Sequence, residues 1–522
     1  MPRALDLRLG IDVGGTNTDA VLLDREGGLL AKAKAATTPD VTTGIVRALD
    51  RVLAATEESR ARVHHVMFGT THATNAVLQR RKLRRVAVVR LGGPATYSIR
   101  PLFGWPDDLR ECVSAGEAIV DGGSEFDGRE IMPLDDEALT RFLASLAGEV
   151  EGVAITSVFA SVSAEHELRA AEVVRSTLGS EIEISLSHEI GTVGLLEREN
   201  ATVLNAALTG VVHEVTAALE SALASRELDA LVFFAQNDGT LMAQEQAIRF
   251  PVLTIGSGPA NSIRGAAYLT GIRDAIVVDV GGTSTDVGVL ANGFPRESSA
   301  PVEIGGIRTN FRMPDLVSLA LGGGSVIRAT DGGRVSVGPE SVGFELEQRA
   351  LVFGGDTPTL TDAAVAAGRA DVGRGSAAAS GNGLLGPALE WADAALADAI
   401  DRVKLSRAAR PLIVVGGGSV LVPDELPGAS DVHRPDHFDV ANAIGAAIAM
   451  VSGQVDRIFD IGPGGRQAML DEARGLATEH AIRAGANPRS VEIVELEELP
   501  LAYLNNPAVR VRAKAAGPLD SG

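Results

Sequence analysis

At 522 residues the chain is long enough for two or more domains with substantial cores. A net charge of −21 excludes a nucleic-acid binder, because no basic surface is available to neutralise phosphates, and the single cysteine, Cys112, excludes an intrachain disulfide or a Cys-based zinc cluster. The first residues run straight into an apolar strand pattern, and later apolar runs are short and broken. No signal peptide, no membrane contact and a cytoplasmic setting are therefore expected.

Taken in chain order, the first half alternates strand and helix signals. Strands are predicted at 9–13, 21–24, 85–89, 152–159 and 181–186, with helices at 43–56, 73–79, 135–147 and 166–178. A long helical stretch at 196–224 leads into a second half with strands at 231–234, 276–280 and 411–415 and a helix at 442–451. Residues 370–385 are small and Gly-rich and read as a loop, whereas 491–515 carries a strand pattern that suits packing on a sheet. The alternation predicts an α/β fold with mixed sheets flanked by helices. Expected units are 1–190, 191–480 and a tail, 481–522.

One loop occurs twice. LGIDVGGTNTDAVLL at 9–23 recurs as IVVDVGGTSTDVGVL at 276–290. Each copy is strand, Gly-Gly-Thr turn, strand. Gly14 and Gly15 leave no Cβ between backbone and ligand, so the N–H groups of Gly14, Gly15, Thr16 and Asn17 can form an anion nest. Gly281, Gly282, Thr283 and Ser284 repeat it. Turn chemistry alone does not demand the matching Thr and Asp. Asp12 and Asp279 end buried strands, where a carboxylate is costly unless it meets a donor or a metal; Mg²⁺ bridging phosphates would satisfy both. Two such hairpins, one per half, imply duplicated lobes gripping a polyphosphate between them.

Further Gly-rich turns follow, LGGGSVIR at 321–328 and VVGGGSV at 414–420. The second, with Gly416, Gly417, Gly418 and Ser419, follows a strand and suits adenosine. FGTTHATNAVL at 68–78 leads into a helix that places His72 and Asn75 on one face, beside an N-terminus that favours negative charge. SGPANS at 257–262 opens another helix and is a candidate cleft wall. His433 and His437, separated by Pro435, make a poor metal pair. No zinc-protease motif, nucleophile elbow or P-loop is present.

These blocks, with ENATVLNAAL at 199–208, VGPESVG at 337–343 and PTLTDA at 358–363, keep one order along the chain. Together they resemble the hydantoinase A / 5-oxoprolinase family within the acetate-kinase, hexokinase, Hsp70 and actin superfamily. The resemblance implies two actin/hexokinase-like lobes with a nucleotide cleft between them. It also implies ATP and Mg²⁺, a cyclic amide substrate opened through a phosphorylated amide, and a B-type or other partner subunit; a homo-oligomer is expected. The roles it implies are Mg²⁺ and water positioning for Asp12 and Asp279, phosphate binding for the paired turns, adenosine contact for Gly416–Ser419, and a substrate border for His72 and Asn75. The hairpins report nucleotide rather than substrate, so a small-molecule kinase and an ATP-dependent reactivase acting on a partner protein stay open at this point. FELEQRALVFGG at 344–355 departs from the family's usual Gly-Pro-Ala-Cys-Tyr-Gly.

Overall fold

The computed structural model describes residues 7–520 except 38–40, 56–61, 192–193, 299–300, 331–333, 374–381, 461–464 and 501–507. Most of the Gly-rich loop expected at 370–385 therefore lies outside the described residues. Leu7–Val13 reads as an apolar run because it is buried on both faces. It runs antiparallel to Asn17–Leu23 and parallel to Val63–Thr70. Ala275–Val280 repeats that arrangement, antiparallel to Thr285–Ala291 and parallel to Arg410–Val415. The two sequence repeats are thus the same three-stranded unit in two different sheets.

The first sheet has nine strands, ordered Glu492–Pro500, Ala508–Gly517, Val451–Asp460, Leu241–Ala243, Leu231–Ala235, Val63–Thr70, Leu7–Val13, Asn17–Leu23 and Leu29–Ala36. It draws on residues from both sides of 190 and of 480. The boundaries read from the sequence therefore cut through one hydrogen-bonded layer, because pairing between distant strands leaves no local signal. The second sheet contains the second hairpin, with Ala429–His433 at one edge. A third, all-parallel sheet of four strands, built from Ser114–Asp121, Val86–Gly93, Gly152–Ser157 and Glu183–Leu186, forms a separate layer.

The 30-residue helix Leu195–Ala224 packs between the first and third sheets. By length and composition it could cross a membrane, contrary to the expectation that no segment could. Its burial inside the fold accounts for that composition. Within it, Glu199 pairs with Arg90 of the third sheet at 2.6 Å, both side chains fully enclosed.

Two helices fill the space between the hairpin sheets, Ser257–Thr270 and Ala441–Ala447. The sequence predicts the latter to run to 451, but Val451 opens a strand of the first sheet. The two helices approach closely. A Cβ on Gly265 would lie 1.8 Å from the Ala441 carbonyl oxygen, and one on Gly445 1.9 Å from that of Asn261. Only glycine fits at either crossing.

Candidate active site

Each hairpin closes with the same hydrogen bond, Gly14 N–H to the Asn17 carbonyl and Gly281 N–H to the Ser284 carbonyl, both at 2.9 Å. The strand register sets Asp12 opposite Asp19 and Asp279 opposite Asp286. The tips face one another, since a Cβ on Gly282 would meet the Thr16 methyl at 3.5 Å. A Cβ on Gly15 would meet nothing within 4 Å, which leaves open space over that turn.

The two leading aspartates sit in matched surroundings. The neighbouring parallel strand presents a glycine to each: a Cβ on Gly69 would lie 2.2 Å from Asp12 Oδ1, and one on Gly416 2.3 Å from Asp279 Oδ1. Adjacent residues of one helix serve both lobes. Asn261 Nδ2 donates to Asp12 at 3.3 Å, and the Ser262 hydroxyl donates to Asp279. Asn442 Nδ2 donates to the other Asp12 oxygen at 2.8 Å.

Four carboxyls, the buried Asp12 and Asp19 and the partly exposed Asp279 and Asp286, thus border one space with a single lysine in its wall. Lys34 Nζ is 2.6 Å from Asp19. Burial, reinforced by the charge of Asp19, pushes Asp12 up to about 7. Burial pushes Asp286 up to about 6. It raises Asp19 and Asp279 as well, with Lys34 pulling each back. Carboxyls held this far from their ordinary range lack positive charge. Among the described residues no three His, Cys, Asp or Glu side chains form a metal site alone. A cation here would share its shell with phosphate oxygens and water, as Mg²⁺ does.

The cleft between the hairpins measures about 240 Å³. Its walls include Asp12, Gly14, Gly15, Thr16, Asn17, Asp279, Gly281, Gly282, Thr283, Ser284, Gly416 and Gly417. Other sequence candidates lie elsewhere. Gly418 and Ser419 are withdrawn from it, because Gly418 N–H is tied to the Val280 carbonyl and Ser419 is buried in a 3₁₀ turn. His72 and Asn75 do not line it either. The His72 ring bonds Thr70 Oγ1 at 2.7 Å, and Thr71 is the member of that motif in the wall. His433 pairs with Asp431 and belongs to no metal group.

Gly258, Pro259 and Ser262 of SGPANS line the cleft, and so do Asp19, Asp286, Lys34 and Asn442. The second Asp of each DVGGT-TD repeat was the readable signal for Asp19 and Asp286. LGGGSVIR has a different task from a ligand-binding turn. Gly323 and Gly324 N–H groups donate to the Gly281 and Gly282 carbonyls at 3.0 and 2.7 Å, so this loop buttresses the second hairpin.

Two family profiles match the chain, one described as Hydantoinase/oxoprolinase N-terminal region over residues 8–178 and one described as Hydantoinase/oxoprolinase over residues 198–382. Caprolactamase subunit alpha of Pseudomonas jessenii is 29% identical over 387 residues, covering 69% of this chain and 54% of that protein. Acetophenone carboxylase gamma subunit of Aromatoleum aromaticum is 27% identical, covering 69% and 53%. In sequence, then, the chain spans about half the length of these curated relatives. Among solved structures, ATP-dependent caprolactamase from Pseudomonas jessenii superposes with a TM-score of 0.77 at 22% identity, over 98% of this chain and 88% of that one. Nucleotide-free acetone carboxylase gives 0.73 at 18%, over 99% and 88%. Both share the fold.

Proposed function

Because the chain belongs to the hydantoinase/oxoprolinase family, we propose that it is the ATP-using chain of an enzyme that opens a cyclic amide such as a hydantoin, 5-oxoproline or another lactam. The observation that carries the reading is the pair of facing hairpins with four under-compensated carboxyls between them. An amide carbonyl is a poor electrophile. Attack of its oxygen on the γ-phosphorus forms an O–P bond as the bond to ADP breaks; a water then adds at the imidate carbon, the ring C–N bond breaks with the amine taking a proton, and a second water hydrolyses the resulting acyl phosphate to carboxylate and phosphate. Such a transfer needs positioning and charge neutralisation above all.

In this reading the N–H groups of Gly14–Asn17 and Gly281–Ser284 hold phosphate oxygens from opposite sides. Gly416 and Gly417 border the nucleoside. Asp12 and Asp279 hold Mg²⁺, which when bound neutralises phosphate charge. Lys34, 2.6 Å from Asp19, adds a fixed positive charge. The relatives named as subunits support completion of the enzyme by a partner chain. A cytoplasmic location is part of the same reading.

The test is ADP release by the purified chain over a panel of hydantoins and lactams, with and without co-purified partner. Amide-stimulated release with ring-opened product is expected. If no cyclic amide changes ADP release while a partner protein alone does, the hydrolase reading falls. The carboxylase subunits among the relatives favour a second reading, phosphorylation of a ketone-derived oxygen before carboxylation; stimulation by acetophenone with bicarbonate, and by no amide, would select it.

A further inference from the structure

A second cavity, of about 820 Å³, shares no lining residue with the hairpin cleft. It lies where residues 188–191, the end of strand Leu231–Ala235, the strand Val451–Asp460 and the helix Gly465–Arg483 meet. Leu253 lines this cavity and Gly258 the cleft, so a five-residue segment, at most about 18 Å long, joins the two walls.

One wall carries an imidazole held by a buried carboxylate. Glu167 has no exposed side-chain surface, and His188 has 19%. Glu167 Oε1 accepts from Ser157 N–H at 2.8 Å and from the Ser187 hydroxyl. Oε2 accepts from His188 N–H at 3.0 Å and from His188 Nδ1 at 2.6 Å. Four donors converge on these two oxygens, and Nδ1 of His188 is the ring nitrogen that donates to them. Arg198 braces the arrangement, donating to Ser187 Oγ at 3.0 Å and to the Ser157 carbonyl at 2.6 Å. His188 Nε2 is the ring nitrogen not engaged by Glu167, in a residue that lines the cavity, and in a neutral ring it is an acceptor. His480 also lines the cavity, with Nδ1 donating to the Gln454 carbonyl at 2.9 Å. Leu241, Phe311 and Val455 supply apolar surface between them.

The wall sets these imidazoles and the apolar Leu241, Phe311 and Val455 beside polar groups such as Gln236, Gln454, Asp238 and Arg312, a mixture that fits a compact ring with N–H and carbonyl groups and apolar faces. We propose that this cavity is a second small-molecule site, binding a cyclic amide through an N–H donated to His188 Nε2, with Glu167 as the positioning residue. The choice of cyclic amides among N–H donors rests on the function proposed above. The site does not depend on nucleotide, so it is open to direct binding measurement.

The probes are hydantoin and 2-pyrrolidone, titrated into nucleotide-free full-length protein and followed by saturation-transfer NMR. His188→Ala removes the acceptor. Ala484→Trp, at a partly buried lining position just past the helix Gly465–Arg483, fills the volume and leaves the His188–Glu167 pair unsubstituted. Each substitution is expected to weaken probe binding at least tenfold, with the unfolding midpoint recorded for both. Absence of binding to the unsubstituted protein, or binding unchanged in both variants, overturns the proposal. Probe binding lost in both variants, with no amide-stimulated ADP release by the unsubstituted protein, keeps the cavity and removes the hydrolase reading. Amide-stimulated ADP release with an unaltered amide requirement in both variants keeps the hydrolase and removes the cavity.

Discussion

Asp12→Asn tests the electrostatics of the cleft most directly. In the nucleotide-free chain Asp12 titrates at about 7, against an ordinary 3.8, with burial the largest cause. Between those values the folded protein holds a proton that the unfolded chain has released. Stability therefore falls as pH rises through that window, and the whole penalty applies above pH 7. A shift of this size is worth roughly 4 kcal/mol. An amide carries no charge and escapes it.

The substitution also suits the local hydrogen bonding. Asn261 Oδ1 is buried without a partner, so a flip of that amide lets it accept from the new side-chain NH₂, while the new carbonyl keeps the bond from Asn442. Urea unfolding of both proteins without nucleotide should show the variant gaining on the parent by roughly 3 kcal/mol between about pH 5 and pH 8. With Mg²⁺ and ADP the order should reverse, because only the parent has the carboxylate that the cation needs. Calorimetric ADP affinity of the parent should also weaken as pH falls below about 7. A variant that gains nothing at high pH, or that keeps Mg²⁺-dependent ADP affinity, refutes the reasoning.

Other substitutions separate fold from site. Gly15→Ala adds a methyl with no protein atom within 4 Å, so stability should move by less than about 0.5 kcal/mol while ADP affinity, measured by calorimetry, falls at least tenfold. Gly322→Ala places a Cβ 2.6 Å from the Gly282 carbonyl carbon and the Thr283 nitrogen; it should cost about 1–3 kcal/mol in urea unfolding and lower ADP affinity together, because the buttress moves the hairpin. Arg90→Met leaves Glu199 enclosed without its ion pair and should cost about 3–5 kcal/mol, with ADP affinity per folded molecule unchanged. His72→Ala should leave ADP affinity within about twofold, since that ring points its bond at Thr70 and lies outside the cleft wall; a loss above tenfold would return His72 to the site.

Local features of the site were readable in sequence and distant ones were not. The hairpins were legible because turn, flanking strands and both aspartates fall within seventeen residues, and antiparallel register then pairs Asp12 with Asp19 without further information. Asn261 and Asn442 reach Asp12 across 249 and 430 positions, and no short-range pattern announces such a meeting. Glycine runs are ambiguous for a related reason. A glycine looks the same whether the approaching group is a ligand, a backbone or a carboxylate. Gly322 makes room for the second hairpin's backbone, and Gly416 makes room for Asp279 Oδ1 while also lining the cleft. The first sheet is closed by strands from the C-terminal end, a pairing that no local pattern announces.

The repeats also conceal an inequality that only their surroundings reveal. Asp12 and Asp279 occupy identical places in DVGGT, each against a glycine of the next strand. Yet Asp12 receives two neutral amide donors and faces the charge of Asp19, whereas Asp279 receives a hydroxyl and feels the attraction of Lys34. The repeat therefore holds two equivalent hairpin turns but not two equivalent carboxylates. The aspartate with less compensation gains more from a divalent cation. Cation dependence should accordingly weigh on Asp12, and Asp279→Asn should diminish Mg²⁺-linked ADP affinity less than Asp12→Asn in the same titration. Equal losses would mean that the cation is shared evenly and that Lys34 does not act on the second hairpin.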